Sequence, residues 1–170
     1  MSILCDSNQF LIGILINQYQ QNNEIDIDYV LSQYINRLQN YSTQFYNYGG
    51  IILCFDSNNY WRKDIFPYYK YSRKEDRKKS TIDWTKIFNY INDIKQSLKN
   101  SKYSVIEVGG AEADDIIAVI CKQEYNDNTN TIIISGDKDF IQLLKFKTVA
   151  IYNSQKNLLY KGDFSENYFL

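Results

Sequence analysis

Seven acidic side chains stand where they could bind metal ions together, each a few residues after a short apolar stretch of this 170-residue sequence. They form four groups along the chain: Asp6; Asp56; Glu112, Asp114 and Asp115; Asp137 and Asp139. Carboxylates without histidine or cysteine partners favour Mg²⁺ or Mn²⁺ over zinc. Two such ions about 4 Å apart can activate water and stabilise the leaving oxygen when a phosphodiester is cleaved. The acids therefore predict metal-assisted phosphodiester chemistry.

The sequence contains no histidine, which narrows the possible chemistry further. Its absence excludes Ser-His-Asp and Cys-His nucleophile systems, a histidine general base and nearly all catalytic zinc sites. The three cysteines, Cys5, Cys54 and Cys121, form no CxxC pair, so we expect buried thiols in a reducing compartment. An enzyme of this composition must use carboxylates, lysine, tyrosine or a hard metal ion.

The elements that must position the acids alternate between strand and helix. Apolar, β-branched stretches predict five buried strands, at residues 3–5, 51–55, 103–108, 131–134 and 148–152. Periodic apolar residues predict three helices, at about 28–46, about 81–100 and from 111 onward. This order predicts an α/β fold with a mainly parallel central sheet and helices on both faces. Because ligands bind outside the carboxyl ends of parallel strands, the acids should converge there.

The net charge of −1 conceals two regions of opposite sign. Residues 62–79 carry a net charge of +5, and residues 107–139 carry a net charge of −6. A basic segment beside an acidic metal site is suited to hold a polyanion such as a nucleic acid. The longest apolar run, residues 10–16, is about a third of a membrane-spanning helix, so we expect no membrane partner. The expected location is the cytoplasm of a bacterium, or of a host cell if the protein comes from a phage.

Each feature also has a simpler explanation. A single aspartate after a strand is more often a turn or N-cap residue than a metal ligand, and acids in a first helical turn stabilise the helix dipole. On a regular helix, Glu112 and Asp115 share a face, and Asp114 points elsewhere unless the first turn is irregular. A basic stretch is usually a solvated surface. The coincidence of four acidic groups at four strand ends favours a shared site.

Four short motifs follow one another over about residues 1–160. They are Cys5-Asp6-Ser7-Asn8; Phe55-Asp56 with Trp61-Arg62 and Tyr69-Lys70-x-x-Arg73; Glu112-Ala113-Asp114-Asp115; and Ser135-Gly136-Asp137-Lys138-Asp139-Phe140 with Gln142-Leu143. This set resembles the 5′-nuclease superfamily, which comprises flap endonucleases, phage 5′-exonucleases, phage ribonuclease H and the nuclease domain of bacterial DNA polymerase I. Trp61, Arg62 and Asp64 most resemble the tailed-phage ribonuclease H branch.

The resemblance implies a role for each matching residue. The seven acids would bind two Mg²⁺ or Mn²⁺ ions. Lys70 and Arg73 would lie at the base of a helical arch, at about residues 60–100, and offset charge on the scissile phosphate in the transition state. Tyr69 would stack on an unpaired base, and Arg62 would contact phosphate or brace the site. Lys74 and Arg77 would also contact nucleic acid.

The implied activity is that of a Mg²⁺-dependent 5′-to-3′ exonuclease or flap endonuclease. Its substrates would be branched or nicked DNA, or RNA–DNA hybrid with a 5′ end or flap, in primer removal, replication or repair. The resemblance covers one catalytic domain, residues 1–170. The family's helix-hairpin-helix segment, which grips the duplex, has no counterpart in these residues, and Asp163 comes too early to replace that segment's acid. A replication protein or separate chain could supply it.

Two alternatives remain open. The chain could recognise branched DNA without cleaving it, or it could be a PIN-like ribonuclease, which also uses clustered acids on such a sheet. A PIN-like ribonuclease does not call for the Tyr69-Lys70-x-x-Arg73 motif, so cleavage restricted to RNA and indifferent to Lys70 would favour that alternative.

Overall fold

A six-stranded sheet forms the centre of residues 1–162, the part of the chain that the computed structural model describes. The strand order is β3-β2-β1-β4-β5-β6. The first five strands are parallel, and β6 pairs antiparallel with β5. Residues 163–170, including Asp163, lie outside the described residues. The strands are β1 Ser2–Asp6, β2 Gly50–Phe55, β3 Ser104–Glu107, β4 Thr131–Ile134, β5 Val149–Asn153 and β6 Leu158–Lys161.

Helices cover both faces of the sheet, which confirms the predicted α/β class. Alternate residues of β1 point to opposite faces: Ile3 and Cys5 pack with α1, α2 and α5, whereas Leu4 packs with α6 and a 3₁₀ helix. Burial on both faces explains why the central strands are continuously apolar. The helices are α1 Ser7–Asn22, α2 Ile27–Gln44, α3 Trp61–Ile65, α4 Tyr71–Lys79, α5 Trp84–Lys99 and α6 Ala113–Asn126, and two 3₁₀ helices span Tyr46–Tyr48 and Lys138–Lys145.

Helix α1 and strand β6 have no counterpart among the predicted elements. Helix α1 begins at Ser7, with Asp6 as its N-cap, but its apolar run from residue 10 to residue 16 is continuous and hides the helical period. Strand β6 is short and mostly exposed, so it lacks the apolar pattern of a buried strand. It follows a turn in which Asn157 takes a positive φ of 52°, a conformation that asparagine tolerates well.

The expected arch region of about residues 60–100 divides into two parts. Its second part is α5, whose residues Ile87, Ile91, Ile94 and Leu98 are buried in the core. Its first part, residues 60–83, contains α3 and α4, and neither helix buries a residue. The basic segment therefore lies on the outside of the sheet–helix core, after β2.

The three cysteines are free and buried, as the sequence predicted. Burial raises the pKa of Cys54 and of Cys121 to about 12, so these thiols stay protonated and unreactive. In the described part of the chain, we find no helix with the length and apolar character needed to cross a membrane.

Candidate metal and nucleic-acid site

Three acids meet at the carboxyl ends of β1, β2 and β4. Asp6 ends β1 and is the N-cap of α1, where its side chain accepts a hydrogen bond from the backbone N–H of Gln9 at 3.4 Å. Asp56 follows β2 and accepts a hydrogen bond from the Ala113 amide at 2.8 Å. Burial, followed by the neighbouring charges of Asp56 and Asp137, raises the pKa of Asp6 to about 7. These three carboxylates therefore lie close enough to interact electrostatically, and their mutual repulsion is unfavourable without a cation.

A second acidic group begins helix α6. Glu112 is the N-cap residue, almost fully buried at 1% exposure, and Asp115 accepts a hydrogen bond from the Glu112 amide at 3.0 Å in a capping box. Oxygens of Glu112, Asp114 and Asp115 lie within 4.8 Å of one another. Asp114 joins the other two acids because Glu112 is an extended N-cap, so the start of the helix departs from the regular turn that would point Asp114 elsewhere. Burial is the main cause that raises the pKa of Asp114.

Arg62 closes one side of this acidic group. Its guanidinium donates to Asp115 at 2.7 and 2.8 Å and to Glu112 at 2.9 Å. The loop after β2 is carried there by a parallel bridge between Tyr60 and Gly110, in which the Trp61 amide donates to the Gly110 carbonyl at 2.9 Å. The charge of Arg62 is thus paired with two carboxylates at the start of α6.

Tyr69 and Lys70 also contact Glu112. The Tyr69 hydroxyl donates to Glu112 at 2.9 Å, and Lys70 Nζ pairs with the other Glu112 oxygen at 2.5 Å. Burial works against the charge on Lys70, but the hydrogen bond to Glu112 outweighs it, so the pKa of Lys70 lies above its usual range. Lys70 has a positive φ of 55°, a conformation that costs a lysine free energy and that its ion pair helps to hold.

An open cavity of about 790 Å³ joins the acids to the basic segment. The predicted acids on its wall are Asp6, Asp56, Glu112, Asp114 and Asp137. The predicted nucleic-acid contacts on its wall are Tyr69, Lys70, Arg73, Lys74 and Arg77. Three predicted residues do not line it: Arg62 and Asp115 pair with each other, and Asp139 is exposed, with its amide donating to Asp137 at 2.9 Å. One wall is thus acidic and the other basic.

Sequence reasoning missed the residues that hold the loop carrying Asp137. Gln9 Oε1 accepts hydrogen bonds from the Gly136 amide at 2.8 Å and from the Ser135 hydroxyl at 3.0 Å. Ser135 Oγ also lies 3.4 Å from Asp6 and accepts from the Asp137 amide. The spacing Asp6-x-x-Gln9 is a signature of a capping box, but here the glutamine side chain crosses to another strand end, which a local pattern cannot reveal.

The donor set suits a hard divalent cation. All five acids on the wall offer oxygen, and burial, followed by the charges of Asp56 and Asp137, raises the pKa of Asp6 to about 7. Asn8, which follows Asp6 and also lines the cavity, buries its Oδ1 without a hydrogen-bond donor from any described residue. A cation with its coordinated water would satisfy both the surplus negative charge and this oxygen. The residues therefore fit divalent metal binding.

Comparison with known proteins decides the family. The family model for the 5′-3′ exonuclease, N-terminal resolvase-like domain, matches residues 10–169. The chain belongs to the 5′-3′ exonuclease family. Among curated members, it is 31% identical to the ribonuclease H of Enterobacteria phage T4 over 151 residues, which is 86% of this chain and 50% of that protein. The resemblance expected from the four motifs is confirmed.

Solved structures confirm the fold of this 5′-3′ exonuclease family member. The bacteriophage T5 D15 protein co-crystallised with metal ions superimposes with a TM-score of 0.74 at 21% identity, over 94% of this chain and 56% of that one. A complex of the T5 D15 flap endonuclease with DNA and metal ions gives a TM-score of 0.74 at 20% identity, over 94% of this chain and 57% of that one. The chain thus spans about half the length of the relatives it matches.

Proposed function

We propose that this chain is a 5′-nuclease domain that hydrolyses phosphodiester bonds in branched or nicked DNA, or in RNA–DNA hybrid, with the help of two Mg²⁺ or Mn²⁺ ions. The observation that carries the proposal is the cavity with metal-binding oxygens on one wall and cationic side chains on the other. Family membership supports the reaction class, as do relatives named ribonuclease H and flap endonuclease. The T5 complex with DNA and metal ions supports the substrate class.

In this proposal the acids hold the cations and the basic segment holds the strand. Asp6, Asp56, Glu112, Asp114 and Asp137 would be ligands, directly or through water, and Asp115 and Asp139 would orient the segments that carry them. A divalent cation bound there lowers the pKa of its water and neutralises charge on the phosphate. Arg73 and Lys74 would attract the phosphate backbone, and Tyr69 would stack on an unpaired base.

Lys70 would act in the same reaction at the phosphate. Its ammonium group now pairs with Glu112, so it is held at the boundary between the acidic and basic walls. With Glu112 serving as a metal ligand, the Lys70 ammonium would be available to donate a hydrogen bond to a phosphate oxygen. Removal of one such donor from a charged transition state typically costs 10²–10³ in kcat, or roughly 3–4 kcal/mol.

The test is cleavage of a labelled 5′-flap and of an RNA-primed duplex, with Mg²⁺, with Mn²⁺ and with EDTA. The proposal expects cleavage that requires the metal, and a loss of at least about 100-fold in Asp137→Ala and Lys70→Ala. The matched controls are the exposed residues Asp93 and Lys102, as Asp93→Ala and Lys102→Ala. Cleavage that persists in EDTA, or that is as fast in Asp137→Ala as in the parent, would refute the proposed catalytic function.

The same experiment separates the two alternatives. Tight flap binding without metal-dependent turnover would indicate a DNA-binding module. Cleavage of RNA alone, unchanged by Lys70→Ala, would indicate a PIN-like ribonuclease. Adding a candidate replication protein, or a separately expressed duplex-binding segment, tests whether turnover depends on a partner.

A further inference from the structure

The orientation of the Gln9 side-chain amide is set by its neighbours in the site. Its Oε1 accepts from the backbone amide of Gly136 at 2.8 Å and from the hydroxyl of Ser135 at 3.0 Å. A backbone N–H can only donate, so the carbonyl oxygen of Gln9 must face Gly136. The amide nitrogen of Gln9 must therefore point away from this loop.

The amide nitrogen of Gln9 has unused hydrogen-bonding capacity. No described residue accepts a hydrogen bond from Nε2, and this atom is not among the buried, unpartnered atoms of residues 1–162. It therefore remains accessible to solvent, and Gln9 lines the large cavity beside Asp6 and Asp137. Two N–H donors on a neutral group thus lie at the acidic wall.

We propose that Gln9 has two roles in the reaction inferred above, on which this inference rests. Through Oε1 it positions the loop that carries Asp137, and through Nε2 it donates a hydrogen bond to an anionic oxygen of the substrate phosphodiester. A neutral donor suits this wall because it binds a phosphate oxygen without pairing with the carboxylates that hold the cations. Lys70 shows the opposite behaviour, since it is paired with Glu112.

Two substitutions separate these roles. Gln9→Glu keeps an oxygen that accepts from Gly136 and removes the donor, whereas Gln9→Met removes both functions. The matched controls are Gln155→Glu and Gln155→Met. Gln155 is exposed and does not line the cavity, yet its Oε1 lies 3.5 Å from the position that a Cβ on Gly136 would occupy. It therefore probes the same glycine from outside the site.

The measurements are Mg²⁺ affinity by calorimetry without substrate, and affinity for a labelled 5′-flap by fluorescence anisotropy in EDTA. Loss of an outer-shell partner typically weakens metal binding 10- to 100-fold, so Gln9→Met should weaken Mg²⁺ binding at least about tenfold. Gln9→Glu should bind Mg²⁺ at least as tightly as the parent but bind the flap about tenfold more weakly. The Gln155 variants should stay within about twofold of the parent for both ligands.

Parent-like Mg²⁺ affinity in Gln9→Met would overturn the positioning role. Equal weakening of flap binding in Gln9→Glu and Gln155→Glu would overturn the donor role, because the added charge alone would then explain it. Both readouts precede turnover, so a parent chain that binds Mg²⁺ and the flap but cleaves neither substrate would refute the proposed function instead. Because Gln9→Glu retains the acceptor, it tests the donor role even if Gln9→Met unfolds.

Discussion

Replacing Asp6 by asparagine should stabilise the metal-free protein while destroying its metal site. Burial and the charges of Asp56 and Asp137 raise the pKa of Asp6 to about 7, whereas an ordinary aspartate titrates near about 3.9. Between these values the folded state holds a proton that the unfolded state has lost, so the free energy of unfolding falls as the pH rises. The raised pKa of Asp6 thus costs the folded protein about 1.5 kcal/mol at pH 5, where the folded state must hold the proton, and about 4 kcal/mol at pH 8, where it must hold the charge.

The assay is urea unfolding in EDTA at pH 5 and pH 8, followed by circular dichroism. Asp6→Asn loses the titrating group, so its stability relative to the parent should increase by about 2.5 kcal/mol between the two pH values. Any cost of the amide's altered hydrogen bonds is nearly independent of pH and cancels in this comparison. Asp93→Asn, an exposed acid on α5, is the control and should show no such change.

Mg²⁺ should remove most of the stability advantage of Asp6→Asn at pH 8. A ligand that binds the folded state at 100 times its Kd stabilises it by about 2.7 kcal/mol, so the parent gains stability with Mg²⁺ and Asp6→Asn gains far less. If the stability gained by Asp6→Asn in EDTA is the same at pH 5 and pH 8, the pKa of Asp6 is not raised in the folded protein and the reasoning is refuted.

Three further substitutions test contacts around the site, each by urea unfolding at pH 7. Arg62→Lys loses the bidentate hydrogen bond to Asp115 at the start of α6 and should lower the free energy of unfolding by about 1–2 kcal/mol. Lys95→Met removes a lysine that is 5% exposed and pairs with Glu107 at 2.7 Å. Because Lys99 still pairs with that carboxylate, the free energy of unfolding should fall by about 2 kcal/mol rather than by the larger cost of breaking an isolated buried pair. Tyr34→Phe removes a buried hydroxyl that donates to Ser7 at 2.8 Å and should cost about 1 kcal/mol.

Each of these variants has an exposed control of the same residue type: Arg37→Lys, Lys102→Met and Tyr29→Phe. The controls should stay within about 0.5 kcal/mol of the parent. A test variant that is no less stable than its control would show that the corresponding contact does not hold the folded state together.

The predictable part of the structure is the part that single strands and helices encode. The apolar stretches before Asp6, Asp56 and Asp137 are buried strands, and parallel pairing brings their carboxyl ends to one edge. This placement follows from local sequence and one topological rule, without knowledge of any side-chain contact. The same reasoning left the direction of Asp114 open, because that direction depends on whether the first turn is regular, and in the structure Glu112 is an extended cap.

Contacts between loops could not be predicted from the sequence, because they depend on backbone positions that are distant along the chain. Arg62 reaches the acids of α6 because Tyr60 forms a bridge with Gly110, fifty residues along the chain. Gly110 has a positive φ of 83°, which marks a turn, but a glycine does not indicate which segment it will meet. Gln9 reaches Gly136 for the same kind of reason. The residue type determines which hydrogen bonds a side chain can form, whereas the fold determines which partner it meets.

The central position of β1 has a consequence for synthesis on the ribosome. This strand pairs with β2 on one side and with β4 on the other, and contacts between residues so distant in sequence form slowly because a long loop must close. A nascent chain that has not yet exposed residues 131–134 lacks one neighbour of β1 and keeps Asp6 apart from Asp137. The candidate metal site should therefore assemble late, only after β4 and the loop that carries Asp137 have emerged.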